Sequence, residues 1–290
     1  MPLQTNDFVL ISAYKSGFEG TDSMDEIRCS LCISQICRTV TELMGFDAPE
    51  AAAPANSVIV DAAGKFFGGE KVERALLYNP DAVALWLYMK YTELFSDVVC
   101  RSSIALPTLS VMPSVTPVCF ASMYTGLMPE KHGIMSYTKP VLKVETIFDS
   151  AIKAGKKPII ISTEGDSISK IFLERDMDYI ICETPDECNL HAERILREDK
   201  HDIVVVYNGN YDGTMHRYGP ESEESLAALT HNASAYAKLH DIADEAWTGR
   251  RRLCAFLPDH GCHEIDGGCG SHGLDMAEDM NIIHFFDFGK

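Results

Sequence analysis

Two short segments of this 290-residue chain pair aspartate with histidine at spacings that suit a shared cation. Asp212 and His216 are four residues apart, so one helical turn would place both side chains on one face. Asp259 and His260 are adjacent and directly follow an apolar run, and His272 stands further along the same glycine-rich loop. Because aspartate and histidine are common zinc ligands, we interpret the two segments together as a metal site. Alone, the pair of Asp212 and His216 is more typical of a surface hydrogen bond, and the segment after Asp259 would also fit a flexible glycine loop with solvent-facing histidines.

A hydroxyl group stands at a predicted helix start. Pro117 suits the first helical position and Gly126 suits the helix end, which predicts Thr116 as the N-cap. There its hydroxyl would lie among unpaired backbone N–H groups at the positive end of the helix dipole, a favourable place for an anion. A nearby metal ion would also stabilise its alkoxide as a nucleophile. Ser114 and Ser122 compete for this role, but Ser114 lacks the cap position and Ser122 points back into the helix.

A third aspartate, Asp81, stands where a predicted strand gives way to a helix, and its alternative role is a simple helix cap. With the residues above, it makes three carboxylates, three imidazoles and one hydroxyl. Gly261 is expected to allow the sharp turn that lets Asp259 and His260 face neighbouring ions. This donor set suits two metal ions, and paired ions serve as a clamp in hydrolytic phosphate chemistry.

The elements that would bring these residues together alternate between apolar strands and helices from residue 74 onward. The strands are predicted at 74–78, 157–162, 179–182, 203–207, 253–257 and 282–288, and the helices at 82–95, 116–126, 146–154, 186–198 and 221–247. This alternation predicts an α/β fold with a mostly parallel central sheet and helices on both faces. In such sheets, sites gather at the carboxyl ends of the strands.

The first 72 residues are predicted to form an N-terminal helical extension, packed on or capping a main domain at 73–290. It has a strand over 8–13, a helix from Ser23 to Met44 with Glu26 completing a capping box, and a helix over 57–67. Cys29 and Cys32, with Cys37 nearby, form a C-x-x-C spacing. We interpret them as small apolar residues on the first helix, since no second Cys/His pair follows at zinc spacing.

Charge and composition exclude several classes of partner. Twenty-five basic residues stand against 43 acidic ones, a net charge of −18, which argues against nucleic acid and anionic membrane surfaces. No apolar run reaches the ~20 residues that a membrane span needs. The N-terminal segment lacks the pattern of a secretory signal, and the ten cysteines are too sparse for a disulfide scaffold. We therefore expect a cytoplasmic protein.

These motifs, in this order, resemble the alkaline phosphatase superfamily, and within it the type I phosphodiesterase/nucleotide pyrophosphatase branch. The resemblance covers about residues 74 to 290. It rests on the segment from Thr116 to Gly126 with Pro129-Glu-Lys-His-Gly133, and on the Asp212, Asp259 and His272 motifs. It implies a hydrolase of a small-molecule phosphate mono- or diester that works through a phospho-threonine.

The resemblance also implies residue roles. Asp212, His216 and His272 would hold one divalent ion, and Asp81, Asp259 and His260 the other, with Thr116 as the catalytic nucleophile. The ions are expected to be zinc, with manganese as the alternative. Asp61 also follows an apolar run, but Asp81 is preferred because its strand lies nearer Thr116 in the sequence.

The chain departs from the family pattern where many relatives place an asparagine that binds the phosphoryl oxygen. Ser136 and Tyr137 stand there instead, and with Lys143 they are the candidate substrate-binding residues. A phosphonate substrate, as in phosphonoacetate hydrolases, is the alternative, with Lys131, Lys139 or Lys143 binding its carboxylate. A non-catalytic metal- or ligand-binding protein is a further alternative. The Cys-x-Pro-x-Arg signature of sulfatases is absent from the segment at Thr116, which argues against sulfatase activity.

Overall fold

The structure is a computed structural model that describes residues 28–290 and the backbone of residues 9–10. Its central feature is an eight-stranded sheet with strand order β1-β3-β10-β7-β2-β6-β4-β5. Only β10 runs antiparallel to its neighbours, β3 and β7, while the other paired strands of this sheet are parallel. The strands are β1 Val9–Leu10, β2 Arg74–Pro80, β3 Ile104–Leu109, β4 Pro158–Thr163, β5 Asp178–Cys182, β6 Ile203–Asn208, β7 Arg252–Phe256, β8 His263–Ile265, β9 Cys269–Ser271 and β10 Asn281–Gly289.

Strands β8 and β9 form a separate two-stranded antiparallel hairpin in the loop that follows β7. The α-helices are α1 Gln35–Met44, α2 Ser57–Phe67, α3 Leu85–Lys90, α4 Ser96–Val99, α5 Thr116–Thr125, α6 Pro129–His132, α7 Ile147–Lys153, α8 Ile168–Ile171, α9 Pro185–Glu198, α10 Asn210–Tyr218, α11 Glu223–Ala246 and α12 Ala277–Met280. The predicted α/β class with a mostly parallel sheet is confirmed.

Helices cover both faces of the sheet because side chains along each strand alternate between two hydrophobic clusters. In β2, Leu77 belongs to the cluster that includes α1, α2, α5 and α7, whereas Leu76 belongs to the cluster that includes α9 and α11. In β6, Val205 and Val204 divide in the same way. Strands buried on both faces read as continuous apolar runs, which explains why the sequence pattern identified them.

The N-terminal helices belong to one of these clusters. Ile36 and Val40 of α1 and Ile59 of α2 are buried in the same cluster as Val118 of α5. The predicted extension therefore packs directly on the layer that carries Thr116. A domain boundary after residue 72 stays a prediction.

Several predicted elements differ from the structure. The helix predicted from Ser23 begins at Gln35 in the structure, while Ser23 and Glu26 lie outside the described residues, as does most of the strand predicted over 8–13. Cys29 and Cys32 are consequently not on a helix, and Cys32 forms an isolated parallel bridge with Leu109.

The long helix predicted over 82–95 is also broken. Tyr91 ends α3 with a non-helical backbone, and a 3₁₀ turn then spans Thr92–Phe95. Strand β3 and the β8–β9 hairpin have no counterpart in the sequence prediction. Within the described residues, every helix is too short or too polar to cross a bilayer.

Candidate active site

The carboxyl ends of three central strands converge with the start of α5. Asp81 directly follows β2, Asp212 lies in the first turn of α10 after β6, and Asp259 and His260 follow β7. Strand β2 pairs in parallel with both β6 and β7, so these three strand ends meet at one edge of the sheet. The site is therefore where the topology of a parallel sheet predicts it.

The first ligand cluster consists of Asp81, Asp259 and His260, which are all buried. His260 Nε2 lies 3.3 Å from Asp81 Oδ1 and 3.4 Å from Asp259 Oδ2. The backbone N–H of Ala82 donates to Asp259 Oδ1, which holds that carboxylate in place. The potential ligand atoms of the cluster all lie within 4.8 Å of one another, close enough for one ion.

The second ligand cluster consists of Asp212, His216 and His272 and is more open to solvent. His216 Nε2 lies 3.2 Å from Asp212 Oδ1, and His272 Nε2 lies 3.4 Å from the same oxygen. The two imidazole Nε2 atoms are 3.1 Å apart. The helical spacing of Asp212 and His216 thus gives the shared face that the sequence predicts, and the loop after β9 brings His272 to it.

The two ligand clusters touch each other and Thr116. The rings of His260 and His272 stack with their centroids 4.0 Å apart. The hydroxyl of Thr116 donates to Asp81 Oδ2 over 3.2 Å and lies 3.3 Å from His260 Nε2. The structure therefore brings all seven residues of the predicted ligand and nucleophile set together.

Each of the three histidines has the same orientation relative to the main chain. His260 Nδ1 donates to the carbonyl of Gly261, His216 Nδ1 to that of Gly270, and His272 Nδ1 to that of Ser114. A proton held at Nδ1 leaves Nε2 with its lone pair, directed into the clusters. Metal-binding histidines are typically fixed in this way by a partner on the other ring nitrogen.

Three buried carboxylate oxygens support the same interpretation. Asp81 Oδ1, Asp212 Oδ1 and Asp259 Oδ2 have no hydrogen-bond partner among the described residues. Buried unpaired oxygens are costly unless a cation or a donor binds them. The oxygens and the Nε2 atoms face the same points, so the residues present fit two divalent cations.

The pKa values of the three carboxylates are shifted because these groups lie close together and are buried. Burial, together with the negative charge of Asp212, raises the pKa of Asp81 to about 7. Burial, together with the charge of Asp81, raises the pKa of Asp259 well above its usual value. For Asp212, burial is outweighed by the close imidazoles of His216 and His272, and its pKa is lowered. Positive charge is therefore what this group of carboxylates lacks.

The pKa values of the three histidines shift in opposite directions. Burial, together with the charge of His272, lowers the pKa of His260 well below its usual value. The close carboxylate of Asp212 raises the pKa of His216 to about 9. His272 is subject to opposing effects: burial lowers its pKa, but Asp212 raises it further, and the net shift is upward.

Thr116 differs from its predicted local structure. It is the first residue of α5, and Val115, with an extended backbone, is the N-cap. The N–H groups of Val118 and Cys119 both donate to the carbonyl of Val115, so the expected group of unpaired N–H donors is largely absent here. The position of the Thr116 hydroxyl therefore depends mainly on its contacts with Asp81 and His260.

The competing serines are engaged elsewhere. Ser122 Oγ lies 3.0 Å from His132 Nε2, which joins α5 to α6, and Ser114 Oγ donates weakly to the carbonyl of Leu274 over 3.4 Å. His132 Nδ1 accepts from the N–H of Ile134, so its Nε2 donates to Ser122. His132 thus has a structural role in the Pro129–Gly133 motif.

The sequence suggested that Gly261 allows a sharp turn, but the structure gives a different reason for a glycine at this position. The structure shows no left-handed backbone there. Instead, a Cβ at this position would lie 2.0 Å from the carbonyl oxygen of Glu278. The Gly261 N–H also donates to the carbonyl of Asp279 over 2.8 Å. Close packing against the segment around α12 therefore explains the glycine.

A cavity of about 200 Å³ opens beside the ligand clusters. Its lining residues are Asp81, Tyr137, Lys139, Thr163, Asp166, Ser167, Pro185, Tyr207, Gly209, Asn210, Asp212 and Gly213. Of the three predicted substrate-binding residues, Tyr137 lines this cavity, whereas Ser136 and Lys143 do not. Lys143 is highly exposed and pairs with Glu174 at a different surface.

Tyr207 is a site residue that the sequence did not predict, and its hydroxyl donates to Asp81 Oδ2 in a short hydrogen bond. An aromatic residue in an apolar strand is most often a core residue, so its type gave no signal. Asp166 and Asn210, which line the cavity, were not predicted from the sequence either. Asp61, the alternative to Asp81, lies exposed on α2, away from both ligand clusters.

Comparison with known proteins agrees with this fold. The family model for type I phosphodiesterase/nucleotide pyrophosphatase matches residues 85–172. Murine ectonucleotide pyrophosphatase/phosphodiesterase 5 superposes with a TM-score of 0.54 at 14% identity, over 67% of this chain and 58% of that one. The chain has an alkaline phosphatase-like fold. The resemblance seen in the sequence is thereby confirmed.

Two further solved structures share this alkaline phosphatase-like fold. The C-terminal periplasmic domain of phosphoethanolamine transferase EptC from Campylobacter jejuni has a TM-score of 0.58 at 11% identity, over 76% of this chain and 80% of that one. Phosphonoacetate hydrolase from Sinorhizobium meliloti 1021, in complex with phosphonoformate, has a TM-score of 0.50 at 18% identity, over 68% and 59%.

One curated relative also matches the sequence. The human GPI ethanolamine phosphate transferase 2 catalytic subunit is 25% identical over 181 residues, which is 58% of this chain and 18% of that protein. The chain therefore spans about a fifth of this relative and less than two thirds of the murine structure. By their names, these matched proteins are a nucleotide pyrophosphatase/phosphodiesterase, a phosphonoacetate hydrolase and two phosphoethanolamine transferases.

Proposed function

We propose that this chain is a zinc-dependent hydrolase of a small phosphate mono- or diester, with Thr116 as the nucleophile. The observation that carries the proposal is the contact of Thr116 Oγ1 with both Asp81 and His260 of the first ligand cluster. A hydroxyl that hydrogen-bonds to a metal-ligand set is positioned for attack rather than for capping.

The proposed reaction has two displacements. Thr116 Oγ1 attacks phosphorus while its proton is directed at Asp81 Oδ2, and the bond from phosphorus to the alcohol breaks. The alcohol leaves with a proton, and the phosphoryl group remains on Thr116. Water then attacks phosphorus, and Thr116 regains its hydroxyl as phosphate or a phosphomonoester departs. Divalent ions in the two ligand clusters would favour the ionised hydroxyl and offset charge on the phosphoryl oxygens.

The test combines turnover with trapping. Zinc-loaded protein is expected to hydrolyse p-nitrophenyl phosphate or bis-p-nitrophenyl phosphate, and acid quenching should yield a phosphorylated peptide that contains Thr116. Thr116→Ala should abolish both signals while its zinc content, measured by mass spectrometry, is retained. The matched variants Ser114→Ala and Ser122→Ala should keep their activity. Activity in Thr116→Ala with zinc bound would contradict the proposed nucleophile.

Transfer to an alcohol is a second candidate, favoured because two of the matched proteins are phosphoethanolamine transferases. The phospho-threonine would be the same, and an alcohol would replace water in the second displacement. Adding glycerol to the assay distinguishes the two reactions: a glycerol phosphoester among the products would indicate transfer, and inorganic phosphate alone would indicate hydrolysis of a monoester.

Phosphonate cleavage is a third candidate, favoured by Lys139. Its side chain lines the same cavity as Asp81, where it could bind the carboxylate of a phosphonate such as phosphonoacetate. The assay is release of phosphate from phosphonoacetate, and the expected consequence of Lys139→Met is then a large rise in KM.

A further inference from the structure

Asn79 is a buried side chain to which the proposed reaction gives no role. It lies near the end of β2, two residues before Asp81, and is fully shielded from solvent. Its Nδ2 donates to the carbonyl of Leu257 over 3.0 Å, and its Oδ1 accepts from the Tyr124 hydroxyl over 2.6 Å. Burial of an amide is costly unless its polar atoms are bonded, and here they bond to two different parts of the fold.

The bond to Leu257 replaces a missing bond of the sheet. Strands β2 and β7 pair in parallel as far as Tyr78 and Phe256, and the N–H of Leu257 then donates to the Tyr78 carbonyl. In a parallel ladder, the Leu257 carbonyl would next accept from the backbone at position 80. Pro80 stands there and has no N–H, so the Asn79 amide donates in its place. The side chain thereby holds the segment that leads from β7 to the ligands.

The bond from Tyr124 comes from the helix that carries the candidate nucleophile. Tyr124 lies on α5, eight residues after Thr116 (124 − 116), which is just over two helical turns. Its buried ring packs against Phe148 and Phe172, an apolar setting in which Asn79 supplies the partner for the hydroxyl. An unpaired hydroxyl among these rings would be unfavourable, so the bond holds α5 against the end of β2.

One amide therefore joins the three elements that assemble the nucleophile and the first ligand cluster. Strand β2 leads to Asp81, the segment after β7 leads to His260, and α5 begins with Thr116. The Thr116 hydroxyl lies 3.2 Å from Asp81 Oδ2 and 3.3 Å from His260 Nε2. Nucleophilic attack depends on such alignment, and an error of about 1 Å can cost roughly 100-fold in rate. The position of α5 relative to the two strands therefore matters for the reaction.

From these contacts we propose that Asn79 is a positioning residue, which holds Thr116 in line with the first ligand cluster. The inference rests on the proposed function, because it takes Thr116 as the nucleophile. Asn79 belongs to neither ligand cluster and does not line the cavity, so it acts through its two partners. The bond from Tyr124 aligns the nucleophile, and the bond to Leu257 aligns the ligands.

Tyr124→Phe tests the first of these bonds, because it removes the hydroxyl and keeps the bond from Asn79 to Leu257. The measurement is the single-turnover rate at which the zinc-loaded protein is phosphorylated on Thr116 by bis-p-nitrophenyl phosphate, with acid quenching. This rate should fall roughly tenfold or more, since the nucleophile is less well aligned. Zinc affinity, measured by competition titration, should stay at the wild-type value, because the ligands keep their support.

Asn79→Ala removes both bonds. The phosphorylation rate should fall at least as far as in Tyr124→Phe, and zinc affinity should fall roughly tenfold, as for other groups that support metal ligands. Adding Tyr124→Phe to Asn79→Ala should lower the phosphorylation rate no further, because the bond that it would remove is already absent. Additive losses in the double variant would overturn the inference.

Tyr179→Phe is the matched control for a loss of stability alone. The Tyr179 hydroxyl donates to the carbonyl of Phe172 over 2.9 Å, but Tyr179 lies on β5, at the edge of the sheet. Urea unfolding should show that Tyr179→Phe is less stable than the wild type, while its rate of Thr116 phosphorylation is unchanged. Should Asn79→Ala fail to fold, the comparison of Tyr124→Phe with Tyr179→Phe decides.

The outcomes separate this inference from the proposed function. If Tyr124→Phe is less stable but is phosphorylated at the wild-type rate, Asn79 is merely structural and the inference is overturned. Equal zinc affinity in Asn79→Ala and the wild type would overturn the role of the bond to Leu257. Absence of phosphorylated Thr116 in the zinc-loaded wild-type protein would instead contradict the proposed function, and the zinc titration of Asn79→Ala would still test the support of the ligands.

Discussion

Asp81 connects the candidate nucleophile to the rest of the site. Its Oδ2 accepts from Thr116 and from Tyr207, while its Oδ1 has no hydrogen-bond partner among the described residues and faces His260 Nε2. The two oxygens thus have different tasks: one orients the hydroxyl, and the other is available to a cation. A change in the partners of Asp81 should therefore affect metal binding and catalysis together.

Tyr207→Phe tests this dependence. Loss of its hydroxyl leaves Asp81 less firmly oriented, and we expect zinc affinity or turnover to fall roughly 10- to 100-fold, as for other groups that support metal ligands. Zinc competition titrations and nitrophenyl ester hydrolysis would measure both. The matched control is Tyr236→Phe, because the Tyr236 hydroxyl is buried without a partner among the described residues. Equal zinc affinity and turnover in the two variants would refute the role of Tyr207.

Some residues of the candidate site could be predicted from the sequence, and others could not. Asp212 and His216, and Asp259 and His260, are visible because their partners are close along the chain. Tyr207 and Asp166 act through spatial neighbours that are far away in the sequence or through turns, so their residue types alone carried no signal. Lys143 was chosen by proximity to a motif, and the structure instead places it in an ion pair with Glu174.

At the scale of elements, the predictable part was the set of strands and helices with continuous or periodic apolar patterns. β2, β6 and β7 were predicted to within two residues at each end, and they are the strands that the ligands follow. Strand β3 contains Pro107 and ends close to a turn-rich segment, which hid its pattern. The break at Tyr91 depends on packing that no local propensity encodes.

The loop after β7 gives a prediction at the element scale. Gly261→Ala would force a Cβ against the carbonyl of Glu278 and displace the segment that carries Asp259 and His260. We expect a loss of about 2 kcal/mol or more in the free energy of unfolding, and weaker zinc binding. The control is Gly64→Ala in α2, where a Cβ meets nothing within 4 Å.

The control variant Gly64→Ala should itself change the free energy of unfolding. Alanine in the interior of a helix is favoured over glycine, so Gly64→Ala should stabilise the protein by about 0.5–1 kcal/mol. Urea unfolding curves of both variants and the wild type would measure the difference. If Gly261→Ala were as stable as the wild type and bound zinc equally well, the explanation of this glycine by close packing would be wrong.

At the scale of the whole molecule, the candidate metal ions would join distant parts of the chain. Asp81 and His272, the first and last residues of the two ligand clusters, are 191 positions apart (272 − 81). Because the unfolded chain does not preserve these clusters, zinc should bind the folded state and stabilise it by mass action.

Thermal unfolding at increasing zinc concentration tests this linkage. The midpoint should rise with free zinc in the wild-type protein and fall when a chelator is added. Asp259→Asn should show a smaller rise, because it removes one ligand charge without changing the size of the side chain. A midpoint that does not depend on zinc in the wild-type protein would contradict the metal assignment.

Stability should also depend on pH through His284, which belongs to neither ligand cluster. His284 is buried in β10 and donates from Nε2 to the carbonyl of Pro258, and burial lowers its pKa to about 4. The unfolded state, with an ordinary pKa of about 6.5, binds the extra proton between about pH 6.5 and pH 4. Stability therefore rises with pH in this window and is lost as the pH falls toward 4.

For this histidine the expected loss between pH 7 and pH 5 is about 2 kcal/mol. Denaturant unfolding of metal-free wild type and His284→Asn at both pH values would measure it. The variant should be less stable at pH 7, but its stability should fall less on acidification. Parallel pH dependence in the two proteins would show that His284 does not contribute to acid sensitivity.

The way in which the three candidate metal-binding histidines are oriented affects how the site can evolve. Their Nδ1 groups are held by main-chain carbonyls of Gly261, Gly270 and Ser114, which every amino acid possesses. Substitution of a neighbouring side chain does not delete such a partner, as it would if a carboxylate held the ring. A randomised library directed at the cavity wall should therefore yield altered substrate preferences on an inherited ligand geometry.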